Sequence, residues 1–306
     1  MTDQMRRFIQ ETPESAAARP RTPTVWISES IRAFMKFMVK EKAIGLGGAI
    51  VLGIMLMALF PQAVSVADPN RIDVSVLLTG PSLAHPLGTD ELGRDVWSRV
   101  VVGARVSLVV ALAAVGSALV AGSIIGVSAA WASGRVDNLI MRLMDLAIAF
   151  PSILLAMMII AALGLGARSV IIAIALVNTP GFARIARGAV LGIKGELYIE
   201  AARALGAHES SIITRHVLPN ISPPLIVGFS VSMGFAIIVE ASLSFLGLGL
   251  PPPHPAWGSM LFKGKDFMEI SPWGMIGPGL ALTLTVVGFN LLGDGMRDLF
   301  DPTKPS

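Results

Sequence analysis

The sequence predicts an all-α membrane protein with six transmembrane helices and both termini in the cytoplasm, and three observations carry that reading. Apolar residues make up 53% of the 306 residues and charged residues only 15%, with a mean hydropathy of +0.70. A soluble domain carries roughly a quarter charged residues. The apolar residues come in runs close to the ~20 residues that cross a bilayer, whereas soluble core helices are shorter and striped. The basic residues are then sorted by side: with a cytoplasmic N-terminus, 17 of the 24 Lys and Arg fall inside and 7 outside, as the positive-inside rule requires.

Residues 1–42 read as a cytoplasmic tail. Within it Ile27, Ile31, Phe34, Met35 and Met38 share one helical face, Arg32, Lys36 and Lys40 take the other, and Trp26 sits at the edge. This is the pattern of an amphipathic helix on the cytoplasmic leaflet, or of one packed on protein. About forty mostly polar residues precede the first apolar run, so the N-terminus does not read as a cleaved signal. The first span is 43–60, and residues 61–105 follow outside. A five-helix core, 106–295, contains spans at 106–131, 139–163, 170–189, 224–250 and 273–292. Arg184 and Arg187 interrupt the second half of the span at 170–189, and the reading has them snorkel toward an interface. Residues 296–306 form a cytoplasmic tail.

Gly122-x-x-x-Gly126 and Gly188-x-x-x-Gly192 read as close helix contacts. The outer loop 251–272 opens with Pro251-Pro252-Pro253-His254-Pro255, which favours extended backbone. It and the outer segment 61–105 are long enough to serve as docking surfaces or as a lid over the bundle. Arg142 and Asp145, three apart on one helix, are expected to pair. Glu240 lies within a span and is a functional candidate on that ground, with a partner helix or Ser242 as its expected contact.

Several classes are excluded or unsupported. There is no cysteine, hence no disulfide or thiolate metal site. The net charge of +3 is not gathered on one face, which gives nucleic-acid binding no support. No Gly-x4-Gly-Lys-Ser/Thr phosphate loop, no His-Glu-x-x-His and no hydrolase arrangement is legible. His85 and His254 lie outside beside prolines and His208 and His216 inside, a spacing that makes no metal site, although a joint His85–His254 site is conceivable.

The most informative stretch is the cytoplasmic loop 195–222. Glu196 to Leu205 reads as a short helix rich in strong helix formers, with Gly206 as its left-handed stop. Ser210-Ser211 can cap a second short helix, which Leu218-Pro219 ends, and Pro223-Pro224 starts the fifth span. The product is a rigid elbow between two spans, able to transmit force to or from a soluble partner.

On these residues the chain resembles a known family. Glu200-Ala201-Ala202, Gly206 and Leu218-Pro219 are similar to the EAA motif of ABC importer permeases. That motif places Ile two residues before the Leu-Pro; His216 stands there, as in permeases of the peptide type. Leu87-Gly88-Thr89-Asp90-Glu91-Leu92-Gly93-Arg94-Asp95, Gly103-Ala104-Arg105, Met141-Arg142 with Asp145, Ala149-Phe150-Pro151, the run from Ala241 to Gly249, and Gly293-Asp294-Gly295 resemble the C-type permeases of dipeptide, oligopeptide and nickel importers. The likeness omits only about the first 30 residues.

The resemblance implies a type I ABC importer-like permease bundle in the bacterial inner membrane, without catalysis of its own. Its partners would be a second, homologous permease, two ATPase subunits that bind ATP and Mg, and an extracytoplasmic solute-binding protein; this chain would bind no cofactor. Glu200, Ala201, Ala202, Gly206, Leu218 and Pro219 would couple to the ATPase, and Asp90, Gly93, Arg94, Asp95, Pro252 and Trp257 are candidates for docking the binding protein. Dipeptides, longer peptides, glutathione-like conjugates and chelated nickel all use permeases of this appearance. The alternative is an ion-coupled secondary transporter with a midplane site at Pro151, Pro180 and Gly181. It requires an internal repeat and coupling carboxylates, of which only Glu240 is legible. A membrane-embedded enzyme would need a catalytic constellation, and none is legible.

Overall fold

A computed structural model describes residues 42–300; the predicted tail helix and the last six residues lie outside them. The helices in order are α1 (Lys42–Leu59), α2 (Pro61–Val64), α3 (Val96–Ala132), α4 (Gly134–Ala149), α5 (Ser152–Leu163), α6 (Ala167–Ile193), α7 (Leu197–Ala204), α8 (Glu209–Ile212), α9 (Leu218–Phe245), α10 (Trp257–Gly264) and α11 (Trp273–Phe300). Among the described residues there is no strand beyond one isolated bridge, Thr89 to Asp95. Among the described residues four helical stretches are long and apolar enough to cross a bilayer: α3, α6, the run Glu209–Phe245, and α11. The pair α4 and α5 makes a fifth if its two helices, bent by 93°, count as one span. The apolar stretch Ile44–Leu59 of α1 is shorter.

Three boundaries differ from those the sequence suggests. The second span begins at Val96 rather than 106, because Asp95 caps the helix: its Oδ1 accepts from the Ser98 amide at 2.6 Å. At 37 residues α3 is about 55 Å long, well beyond the ~30 Å of bilayer hydrocarbon, so it does not lie wholly within the bilayer. The predicted span 139–163 is broken at Phe150-Pro151. Pro151 has no amide hydrogen to continue the ladder, and Phe150 before it is extended (φ −83°, ψ 136°).

The third difference is in the elbow. Leu218-Pro219 does not end a helix and Pro223-Pro224 does not start one; the chain runs helically from Glu209 to Phe245. A π-helical turn, Ile213–Val217, absorbs the first proline, and the Leu218 amide reaches back five residues to the Ile213 carbonyl. Pro223 cannot donate to the Pro219 carbonyl, and the Ser222 hydroxyl takes that acceptor at 2.8 Å. Side chains supply what the prolines withhold, so the helix survives them.

The core centres on α3 crossing α6. Gly122 and Gly126 lie against Thr179, Phe182, Ala183 and Ala186, and a side chain at Gly126 would overlap the Ala183 carbonyl oxygen. This realises the expected close contact. Gly188 and Gly192 do not: nothing lies within 4 Å of where a Cβ would stand on either. A contact the sequence reading missed joins α1 to α11, where Gly47 meets the backbone of Gly288 and Leu292 and Gly295 meets Ile44. The long helix α9 packs on α3, α6 and α11.

Candidate functional site

The elbow is built from α7, a tight turn and α8. Glu200 stands in the first turn of α7, where a carboxylate faces the helix's positive end. The helix stops at Gly206 as expected. Its φ is +80°, the Gly206 amide donates to the Arg203 carbonyl (3.0 Å) and the Ala207 amide to the Ala202 carbonyl (3.1 Å), the two bonds of a Schellman stop. Arg203 bridges the turn to Glu209 at 2.9 Å, and that bond holds the guanidinium's pKa above its ordinary value.

Anchoring residues face inward and an exposed face is left outward. Ile199, Ile212 and Val217 are fully buried. Glu200, Ala201, Ala204 and Gly206 are exposed, and Leu197 and Leu205 flank them at 81% and 88% exposure. Ala202 is half-buried and packs on the core, so it supports the elbow from below. The elbow is fastened to the bundle by Lys194, whose ammonium donates to the carbonyls of Ala130 (2.8 Å) and Trp131 (2.9 Å) and to Ser133 Oγ (2.7 Å). It thereby satisfies the free carbonyl end of α3 and lies over the Trp131 ring. Nothing local in the sequence marks this bond, which spans more than sixty residues.

The outer residues divide differently. Asp90 accepts from the amides of Leu92 and Arg94 and pairs with the Arg94 guanidinium at 2.7 Å; Arg94 also reaches Glu91 at 3.1 Å. Asp95 caps α3 with one oxygen and holds His85 Nδ1 at 2.9 Å with the other. Gly93 turns at φ +71° against the Asp73 carbonyl, where a side chain has no room. Trp257, at the start of α10, is fully buried, and its indole donates to the Val100 carbonyl at 3.0 Å. Gly93, Arg94, Asp95 and Trp257 are therefore buried, and Asp90 nearly so; Pro252 alone among the expected docking residues is exposed. Within the loop, α10 follows the proline-rich opening, which is itself not helical.

Within the bundle, Arg142 and Asp145 do not pair as expected. Asp145 Oδ1 accepts from Arg184 at 2.6 Å, and Asp137 takes Arg187 through both carboxylate oxygens at 2.6 and 2.7 Å. The arginines that interrupt the predicted fourth span are thus joined to α4 by acids. Glu240 is fully buried; its oxygens accept from Ser107 on α3 and Ser244, one turn on, each at 2.8 Å. Ser242, the expected local contact, donates instead to the Ile238 carbonyl. His85 is committed to Asp95 while His254 is exposed, and among the described residues no group of three or more His, Asp or Glu is placed to hold a metal.

Comparison with known proteins bears on what this arrangement serves. Residues 118–304 match the family described as "Binding-protein-dependent transport system inner membrane component". The dipeptide transport system permease protein DppC of Alkalihalophilus pseudofirmus is 40% identical over 295 residues, 96% of this chain and 97% of that protein. The glutathione transport system permease protein GsiD of Pectobacterium atrosepticum is 42% identical over 276 residues, 90% of this chain and 92% of that one. Among solved structures, a chain of the MetNI methionine ABC transporter in inward-facing conformations superposes with a TM-score of 0.55 at 20% identity, covering 66% of this chain and 97% of that one. This last likeness is one of fold.

Proposed function

Because this chain belongs to the family of binding-protein-dependent transport system inner membrane components, we propose that it passes peptides, or solutes of similar build, through a pore it forms with a second permease. It is a multi-pass inner-membrane permease subunit of an ABC transport system of the peptide type, and that membership sets aside the ion-coupled alternative. The relatives named for dipeptide and glutathione transport support a peptide-like cargo and leave its length open. In the arrangement we propose, six spans leave both termini in the cytoplasm, and the chain itself is not catalytic. ATP and Mg reside on two partner ATPases, and a solute-binding protein delivers cargo from outside.

The observation that carries the coupling reading is the elbow: an exposed helix, α7, stopped sharply at Gly206 and pinned to the bundle through Ile199, Ile212 and Lys194. Such a piece moves as a body with the helices on either side of it. We place the ATPase contact on Glu200, Ala201 and Gly206, with Ala202, Leu218 and Pro219 shaping the elbow behind them. Binding-protein docking we place on the exposed parts of the outer segments, Pro252 among them. Asp90, Gly93, Arg94, Asp95 and Trp257 act there from beneath, by holding the surface in shape.

Co-purification tests this reading. The tagged chain, extracted from its native membrane in mild detergent, should bring down a second permease and one or two ATPases. Recovery of the chain alone, with uptake driven by an ion gradient at constant ATP, would overturn it.

A further inference from the structure

Two faces of α6 are treated very differently. One carries Thr179, Phe182, Ala183 and Ala186 and is packed tightly on Gly122 and Gly126 of α3. On the opposite face, roughly 180° round at 100° per residue, stand Gly181, Arg184 and Gly188. All three are exposed, and nothing lies within 4 Å of a Cβ built on either glycine. Arg184 is four residues past Pro180, the midpoint of α6, and therefore about 6 Å along the helix from its centre.

A charged pair sits on this open face. Arg184 Nη2 meets Asp145 Oδ1 at 2.6 Å, with the two side chains 49% and 55% exposed. The neighbouring pair behaves otherwise: Arg187 grips Asp137 through both oxygens, and the Asp137 side chain is only 9% exposed. Arg187–Asp137 is closed, whereas Arg184–Asp145 uses one nitrogen and one oxygen and presents the rest of both groups outward. Half-exposed charges in the inner half of a spanning helix face hydrocarbon only at a penalty; in spanning proteins they reach an interface, face a water-filled cavity or face one another. Beside them the α4 helix ends at the Phe150-Pro151 break, and no backbone hydrogen bond crosses that break among the described residues. Within a membrane, irregular backbone is tolerated where it is buried in protein or lines a cavity, and Phe150 and Pro151 are exposed on this chain.

We propose that the Gly181–Arg184–Gly188 face, with Asp145, lines the aqueous solute path, and that the Arg184–Asp145 pair takes the two ends of a zwitterionic peptide as it passes. The guanidinium receives the terminal carboxylate and Asp145 the terminal ammonium. The glycines leave room beside the pair for a peptide backbone. A pair whose members already share one bond holds cargo by exchanging that bond, which suits a path that must release what it binds. The assignment rests on the transport reading above, and it names residues for a step that the elbow and the outer segments do not perform.

The absence of native cysteine makes the test direct. Gly181→Cys, Gly188→Cys and, on the exposed apolar face of α3, Val120→Cys are placed singly in the assembled complex in lipid nanodiscs. Each is treated with a membrane-impermeant charged thiol reagent, and labelling of this chain is read by mass. The two glycine positions should label, Val120→Cys should not, and cycling with ATP and a dipeptide-loaded binding protein should slow the labelling. Separately, Arg184→Gln should reduce uptake roughly tenfold to a hundredfold, the loss expected when a charged hydrogen-bond partner is removed. The exchange Asp145→Arg with Arg184→Asp should assemble but not restore uptake. Unlabelled glycine positions, equal labelling of Val120→Cys, or full uptake by the exchanged pair would each overturn the assignment. Failure of the transport reading itself shows separately, as absence of ATPases from the same preparation.

Discussion

Glu240 and Ser107 are separated by 133 residues and joined by a hydrogen bond of 2.8 Å, the Ser107 hydroxyl donating to Oε2 of a carboxyl group with no solvent exposure. The second oxygen is satisfied by Ser244 on the same helix. The carboxyl thus ties α9 to α3 inside the bundle. A buried polar group without its partner loses the full cost of desolvation, which is why both oxygens are matched.

Ser107→Ala should lower the stability of the detergent-purified chain by about 1 kcal/mol, within the range measured for hydrogen bonds between membrane helices. Glu240→Gln, which can accept from one serine and donate to the other, should cost less than Glu240→Leu. Thermal unfolding followed by tryptophan fluorescence reads the order. A leucine variant as stable as the glutamine variant would show that the tie contributes nothing.

Glycines on the two faces of the bundle should respond oppositely. Gly126→Leu drives a side chain into the Ala183 carbonyl and Ala186, an overpacking that costs about 1–3 kcal/mol or more. Gly188→Leu meets open space. The first variant should aggregate on size-exclusion chromatography in mild detergent and the second should elute as the parent does. Equal behaviour would contradict the α3–α6 crossing.

In the outer segment, Gly93→Ala faces both a left-handed backbone (φ +71°) and the Asp73 carbonyl. Left-handed strain alone costs roughly 1–2 kcal/mol for a residue with a Cβ. The turn holding Asp90 and Arg94 should open, and protease added to spheroplasts should then cut within residues 61–95, which stay intact in the parent.

For the elbow, the combined variant Glu200→Ala and Gly206→Val should insert normally and fail to support ATP-driven uptake. Valine at φ +80° undoes the Schellman stop and re-aims α7. Membrane fractionation checks insertion, and uptake of a labelled dipeptide checks coupling. Normal uptake by the inserted variant would remove the coupling role from α7.

Deletion of residues 251–255 should weaken binding of the solute-binding protein to the purified complex, measured by biolayer interferometry, while ATPase co-purification is retained. Unchanged affinity would move the docking surface to the 61–95 side.

Much of this was legible in the residues themselves. Long apolar runs and sorted basic residues gave a multi-pass membrane protein, because the bilayer imposes length and composition on every crossing segment. Gly206 was readable as a helix stop because a left-handed position selects glycine whatever surrounds it. Asp95 carries a legible signal too, since an acid immediately before a helix is a preferred N-cap, and it marks the start of α3. Prolines misled in the elbow: Pro219, Pro223 and Pro224 withdraw backbone donors, and a local rule cannot know that a π-helical turn and Ser222 make up for them.

The partners of the charges were decided by the tertiary structure alone. Arg142 lay within local reach of Asp145, yet α6 brings Arg184 to 2.6 Å from that carboxylate. Lys194 caps a helix that ends more than sixty residues earlier, and Glu240 answers a serine on another span. Expected docking residues such as Arg94 and Trp257 are buried in holding the outer surface together. Sequence by itself determined that the chain is a multi-pass membrane protein and that α7 stops at Gly206, since those depend on solvent and backbone over short distances. Which side chains meet depends on how the crossing helices are rotated about their axes. Close packing at Gly122 and Gly126 fixes that rotation for α6, and no single segment contains it.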